Sequence, residues 1–131
     1  MNKKLQLIKL IGQKLLGVNP AYVDYLISAY NIQFDLQSKI LYGGSRKSEN
    51  MAGFTVLSAD WCIFEDHKEN VIHEIFHLAF FDNGFFGVNQ SMTIEELEML
   101  EAQLQQATEK FVETHGLFCD ELVKRIVNAR P

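Results

Sequence analysis

Residues 70–81 read NVIHEIFHLAFF, and inside this run His73 and His77 stand four apart with Glu74 directly after the first. On a helix, residues four apart lie on one face about a turn from each other, so both imidazoles can reach a single ion. Zn2+ takes such nitrogens at about 2.0–2.1 Å, and its catalytic sites use three protein ligands with a fourth position for water. Glu74 is beside a ligand position without occupying one. From there its carboxylate can take a proton from the attacking water and hand it to a leaving amine. Two histidines and a carboxylate in this order therefore point to hydrolysis of an amide bond at a zinc ion.

The plainer alternative is an amphipathic helix that happens to carry two histidines. The flanks argue against it. Val71 and Ile72 precede the triplet, Ile75 and Phe76 fill its middle, and Leu78 and Ala79 follow, with no charge or proline between. A helix apolar nearly all round is a buried one, as a metal-binding helix must be. Asp66 can cap it, Asp82-Asn83-Gly84 can stop it, and its expected span is 66–82.

The elements around it follow from spacing. Residues 1–30 read as helical. Leu5, Ile8, Ile11 and Leu15 share one face, and Asn19-Pro20 is an N-cap followed by proline at the first helical position of a second helix. Residues 31–64 switch to period two: Ile32, Phe34 and Leu36 alternate with Gln33 and Asp35, KILY follows, and Gly43-Gly44 ends the run. Residues 44–50 are polar and loop-like, and residues 54–64 are β-rich with a break at Ser58-Ala59-Asp60. Residues 93–129 read as two helices. Thr93 with Glu96 three residues later makes a capping box, and Gly116 separates the long helix from the last one. The expectation is a single α+β domain over 1–131, a short central sheet flanked by helices.

At the five residues His73-Glu74-Ile75-Phe76-His77 the chain resembles the zincin metallopeptidases, whose hallmark is HExxH. The stretch 78–83 has neither the glycine nor the histidine of the metzincin pattern. The acidic TIEELEMLEAQL that follows resembles the gluzincin pattern, in which a second helix supplies a glutamate. The nearest likeness is to small phage-associated peptidases of the ImmA/IrrE type. That resemblance implies Zn2+ held by His73, His77 and Glu96, with Glu74 as general base and a protein or peptide as substrate. Glu95, Glu98 and Glu101 are rivals for the third ligand, and Asp82 is a further one. Glu96 also has a purely structural role open to it in the capping box. His115, Tyr30 and Tyr42 are candidates for a transition-state stabiliser. His67 reads as a helix-start residue. Residues 54–64 would hold the edge strand that aligns a substrate. The rival function is a non-enzymatic interaction or regulatory protein displayed on such a fold.

Composition sets the outer bounds. A chain of 131 residues suits one domain. Hydrophobic residues at 47% and charged ones at 22% describe a globular chain rather than a disordered one. The net charge of −5, with no basic run longer than two residues such as Arg46-Lys47, points away from a nucleic-acid surface. No run of 18 apolar residues exists for a membrane span. Lys9, Gln13 and Lys14 interrupt the only segment resembling a signal peptide. Cys62 and Cys119 are too few for a disulfide framework, so a reducing, cytoplasmic compartment is expected. The sequence carries no signature that sets an oligomeric state.

Overall fold

A computed structural model describes residues 2–30, 32–35, 40–43, 55–58, 68–85 and 92–128. Asn2 opens the first helix. Its Oδ1 accepts from the backbone N–H of Lys4 and Leu5 at 2.8 and 3.3 Å, two donors that a helix start otherwise leaves orphaned. Helix α1 then runs Lys3–Leu15 and buries Ile8, Ile11, Gly12 and Leu15. Asn19 caps α2 (Pro20–Ala29) through the Tyr22 N–H, with Pro20 in the first turn where its missing donor costs nothing. Three short antiparallel strands follow in the order β1 (Gln33–Asp35), β2 (Ile40–Gly43) and β3 (Thr55–Ser58). Phe34 stands opposite Leu41, and Leu41 opposite Leu57.

The remaining elements are α3 (Lys68–Asp82), α4 (Ile94–Thr114) and α5 (Gly116–Asn128). Gly84 stops α3 with a left-handed φ of 95°, which lets the Phe85 N–H reach back to the Phe80 carbonyl at 3.0 Å. Thr93 and Glu96 close a reciprocal capping box at the start of α4. The Thr93 hydroxyl accepts from the Glu96 N–H at 3.1 Å, and the Glu96 carboxylate accepts from the Thr93 N–H at 2.9 Å. The break before α5 falls at His115 (φ −125°, ψ 45°), one residue earlier than the glycine expected to make it. Gly116 is instead the first residue of the new helix.

The expected α+β fold with a central sheet is overturned. Of the residues whose side chains are described, 84% are helical and none lies on a strand. The core is packed by five helices. Length is the physical reason. A strand of three or four residues places at most two side chains on one face, whereas the 15-residue α3 buries Val71, Ile72, Ile75, Phe76, Leu78, Ala79 and Phe80. Each large side chain among them contributes about 1.5–3 kcal/mol when removed from water. The motif helix itself is thus the centre of the molecule, packed against α1, α2, α4 and α5.

Two contacts lock α1 to α4. Asn2, while capping α1, also donates from Nδ2 to Glu96 at 2.8 Å, so one pair of side chains ties two helix starts together. Farther along, Gln103 lies flat against Gly12, where an added Cβ would meet its side-chain oxygen at 2.0 Å. Replacing a mid-helix glycine by alanine ordinarily gains about 0.5–1 kcal/mol. Here Gly12→Ala should lower the urea midpoint instead, and Gly12→Ala/Gln103→Ala should recover only the part due to the Gln103 amide, because the Cβ of residue 103 stays 2.9 Å away. A single variant as stable as the parent would mean that the two helices do not meet so closely.

Candidate metal centre

Helix α3 is buried on most of its surface. Its half-buried positions include Asn70, His73, Glu74, His77 and Phe81, which follow the spacing of a single stripe along the helix. The triplet therefore occupies the one seam of the central helix that the core leaves open. One ligand atom from each of His73, Glu74 and His77 lies within 4.8 Å of the others. The two rings are 5.0 Å apart and set edge to face at 75°.

Across the seam stands α4, and the carboxylate it presents is Glu101. One oxygen is 3.7 Å from His73 Nε2 and the other 3.9 Å from His77 Nε2. Both separations exceed a hydrogen bond, which needs about 2.7–3.2 Å between heavy atoms. They lie close to the roughly 3.3–3.5 Å that tetrahedral angles and bond lengths near 2.0–2.1 Å impose between neighbouring ligands of one ion. The imidazoles are 22% and 20% exposed and the Glu101 side chain 55%, so the cluster is reachable from solvent.

Glu96 is not brought to the histidines. One of its oxygens accepts from Thr93 and the other from Asn2, which commits both and holds the carboxyl below its usual range, the Asn2 bond contributing most. The residue is 5% exposed and serves as a structural link between α1 and α4. Glu95 and Glu98 are exposed. Asp82 is also engaged elsewhere. Its carboxylate accepts from the hydroxyls of Tyr22, Tyr25 and Tyr30 at 2.9, 3.2 and 2.9 Å, a cluster that pins α2 to the end of α3. Asn83 joins it by donating to the Tyr22 oxygen at 3.0 Å and accepting from Lys14 at 2.6 Å. Sequence reasoning missed this cluster, although tyrosines three apart at 22 and 25 were a visible signal.

Of the other candidates, Tyr30 is spent on Asp82, and His115 packs its ring on Phe111 at 4.8 Å at the end of α4. Phe80 and Phe85 are core, stacked edge to face at 6.1 Å. The Cys119 thiol is buried and pushed up to about 11 by that burial, which fits a packing role. Residues His67, Cys62 and Phe86 and the side chain of Tyr42 lie outside the described residues. Of the segment 54–64, Thr55–Ser58 is described. It pairs on one side with β2 and runs beside α3.

Electrostatics suit the chemistry. Burial, and then the nearby Glu101 charge, raise the Glu74 carboxyl from its ordinary 4.5 to about 7. Burial and then His73 lower the His77 imidazole, with Glu101 opposing, which favours the neutral form that binds metals. No family model, no curated protein and no solved structure matches the chain.

A stability prediction follows from the raised Glu74. Below about 4.5 both folded and unfolded chains hold its proton. Between 4.5 and 7 only the folded chain does, so this group's contribution declines as pH rises and is gone above about 7. In metal-free protein Glu74→Gln should therefore melt higher than the parent at pH 8, with the gap narrowing towards pH 4.5. A gap independent of pH would show that Glu74 titrates normally.

Proposed function

We infer that this chain is a small zinc-dependent metallopeptidase resembling the gluzincin zincins. His73, His77 and Glu101 would hold the ion, with Glu101 in the place first assigned to Glu96. The observation that carries the reading is the single open seam of the central helix, occupied by two imidazoles and a carboxylate and faced by a second carboxylate at 3.7 and 3.9 Å. Two nitrogens and one carboxylate oxygen are a donor set that zinc favours over magnesium or calcium, which take oxygen ligands. Bound there, a zinc ion supplies a Lewis acid for a peptide carbonyl and lowers the pKa of a water.

The chain's own residues do the rest. Glu74 takes the proton of the attacking water and returns it to the leaving amine, the two directions of transfer that one positioned carboxylate can serve. Glu101 carries the negative charge that balances the cation. Burial around α3 favours the neutral form of the His77 imidazole and holds both rings half-buried. The substrate is a protein or peptide. No described helix is long and apolar enough to cross a membrane. A free, buried Cys119 suits a reducing compartment, and we place the protein in the cytoplasm on that ground.

Glu74→Gln tests the reading. It should keep one zinc per chain and lose peptide hydrolysis by roughly 10²–10⁴-fold, the usual contribution of a positioned base. Undiminished hydrolysis would remove Glu74 from the mechanism. A wild-type protein that binds zinc and cleaves nothing in a peptide library would favour an interaction protein built around a structural ion.

A further inference from the structure

Two of the most exposed aliphatic side chains stand on the flank of α4 that carries Glu101. Ile94 is 76% exposed and Leu97 46%. Positions 94, 97 and 101 are spaced to stack along one stripe of the helix. Farther down the same stripe, Leu104 and Thr108 are buried. The stripe thus leaves the core at Glu101 and continues into solvent as an apolar ledge, starting one turn from the carboxylate that faces both imidazoles. Scattered exposed leucines are ordinary on a surface, and Leu10 and Leu117 are such cases on other helices. Leu97 differs in its neighbour.

Charge adds a second constraint. Glu95 and Glu98 flank the ledge and are exposed, Glu101 closes it, and no lysine or arginine stands on α4 before Lys110. Such a field repels anionic segments and draws cationic ones. We propose that Leu97, with Ile94 beyond it, is a specificity subsite that seats a bulky aliphatic side chain of a cationic peptide, next to the bond held at His73, Glu74 and His77. This rests on the metallopeptidase reading and names its substrate class. The substrate's side chain lies along Leu97, and its positive charge, a free amine or a nearby basic residue, faces Glu98, with Glu95 beyond it.

Binding rather than turnover tests it. Zinc content is measured first, and then calorimetry compares leucine hydroxamate with glycine hydroxamate on the zinc-loaded protein. The two probes share the metal-binding group and the amine and differ by an isobutyl group. The parent should prefer leucine hydroxamate by about tenfold, as expected for partial burial of one aliphatic side chain. Leu97→Gln, which keeps a good helix former at an exposed site, should erase that preference and leave zinc content and glycine hydroxamate affinity unchanged. N-Acetyl-leucine hydroxamate, without the cation, should bind more weakly, with the difference shrinking as salt rises. Equal affinities in the parent, or a preference that survives Leu97→Gln, overturn the subsite while leaving the metal centre standing. A protein that takes up no zinc overturns both.

Discussion

Burial of α3 is the constraint on which the rest of the structure depends. Seven apolar residues between Val71 and Phe80 are removed from water by four other helices. A helix packed on so many sides can keep polar groups only along one seam, because an unpaired buried charge costs several kcal/mol. His73, Glu74 and His77 occupy that seam. Their closeness to one another follows from helical spacing, and their half-buried, low-dielectric setting follows from the packing. The same setting raises the Glu74 carboxyl and lowers the His77 imidazole, so one act of burial both builds the core and tunes the cluster.

The surrounding helices are held in register by polar contacts at their ends. Asn2 and Glu96 tie the starts of α1 and α4, and the three tyrosine hydroxyls around Asp82 tie α2 to the end of α3. Lys68 and Asp120, 2.9 Å apart, link the start of α3 to α5. Exposed pairs such as this last one contribute little energy. The Asp82 cluster is partly buried and more consequential. It gathers three donors on a carboxylate that the negative end of a helix would otherwise disfavour.

Local signals in the sequence marked three helix ends correctly, while Gly116 proved to start a helix rather than to end one. Asn19-Pro20, the Thr93–Glu96 box and the left-handed Gly84 each act within a few residues of themselves, and each marks a helix end where expected. The central sheet was an over-reading, since period two reveals alternation but not how far a strand extends or whether its faces carry the core. Glu96, expected as a ligand, is engaged by Asn2 and Thr93 for a related reason. A capping box and a metal ligand both call for an acid early in a helix, and the local hydrogen bonds claim it. Glu101 was only one of several rival acids, because which of them faces α3 depends on the rotation of α4. That rotation is set by contacts distant in sequence, such as Gly12 on Gln103 and Phe76 on Phe111 at 5.7 Å. A signal was present even so: Glu101 interrupts an otherwise apolar run of Leu97, Leu100 and Leu104 at the edge of the buried face.

In the proposed centre one ion would bind between α3 and α4, held by two imidazoles and the Glu101 carboxylate. Zinc titration of the metal-free protein beside Glu101→Ala and Glu96→Ala tests it most directly. The parent should bind one zinc per chain. Glu101→Ala should lose more affinity than the roughly 10–100-fold typical of losing an outer partner. Glu96→Ala should keep the parent's affinity and melt lower, because the capping box and the tie to Asn2 are lost. Unchanged affinity in Glu101→Ala, or a collapse in Glu96→Ala with the fold intact, would contradict it.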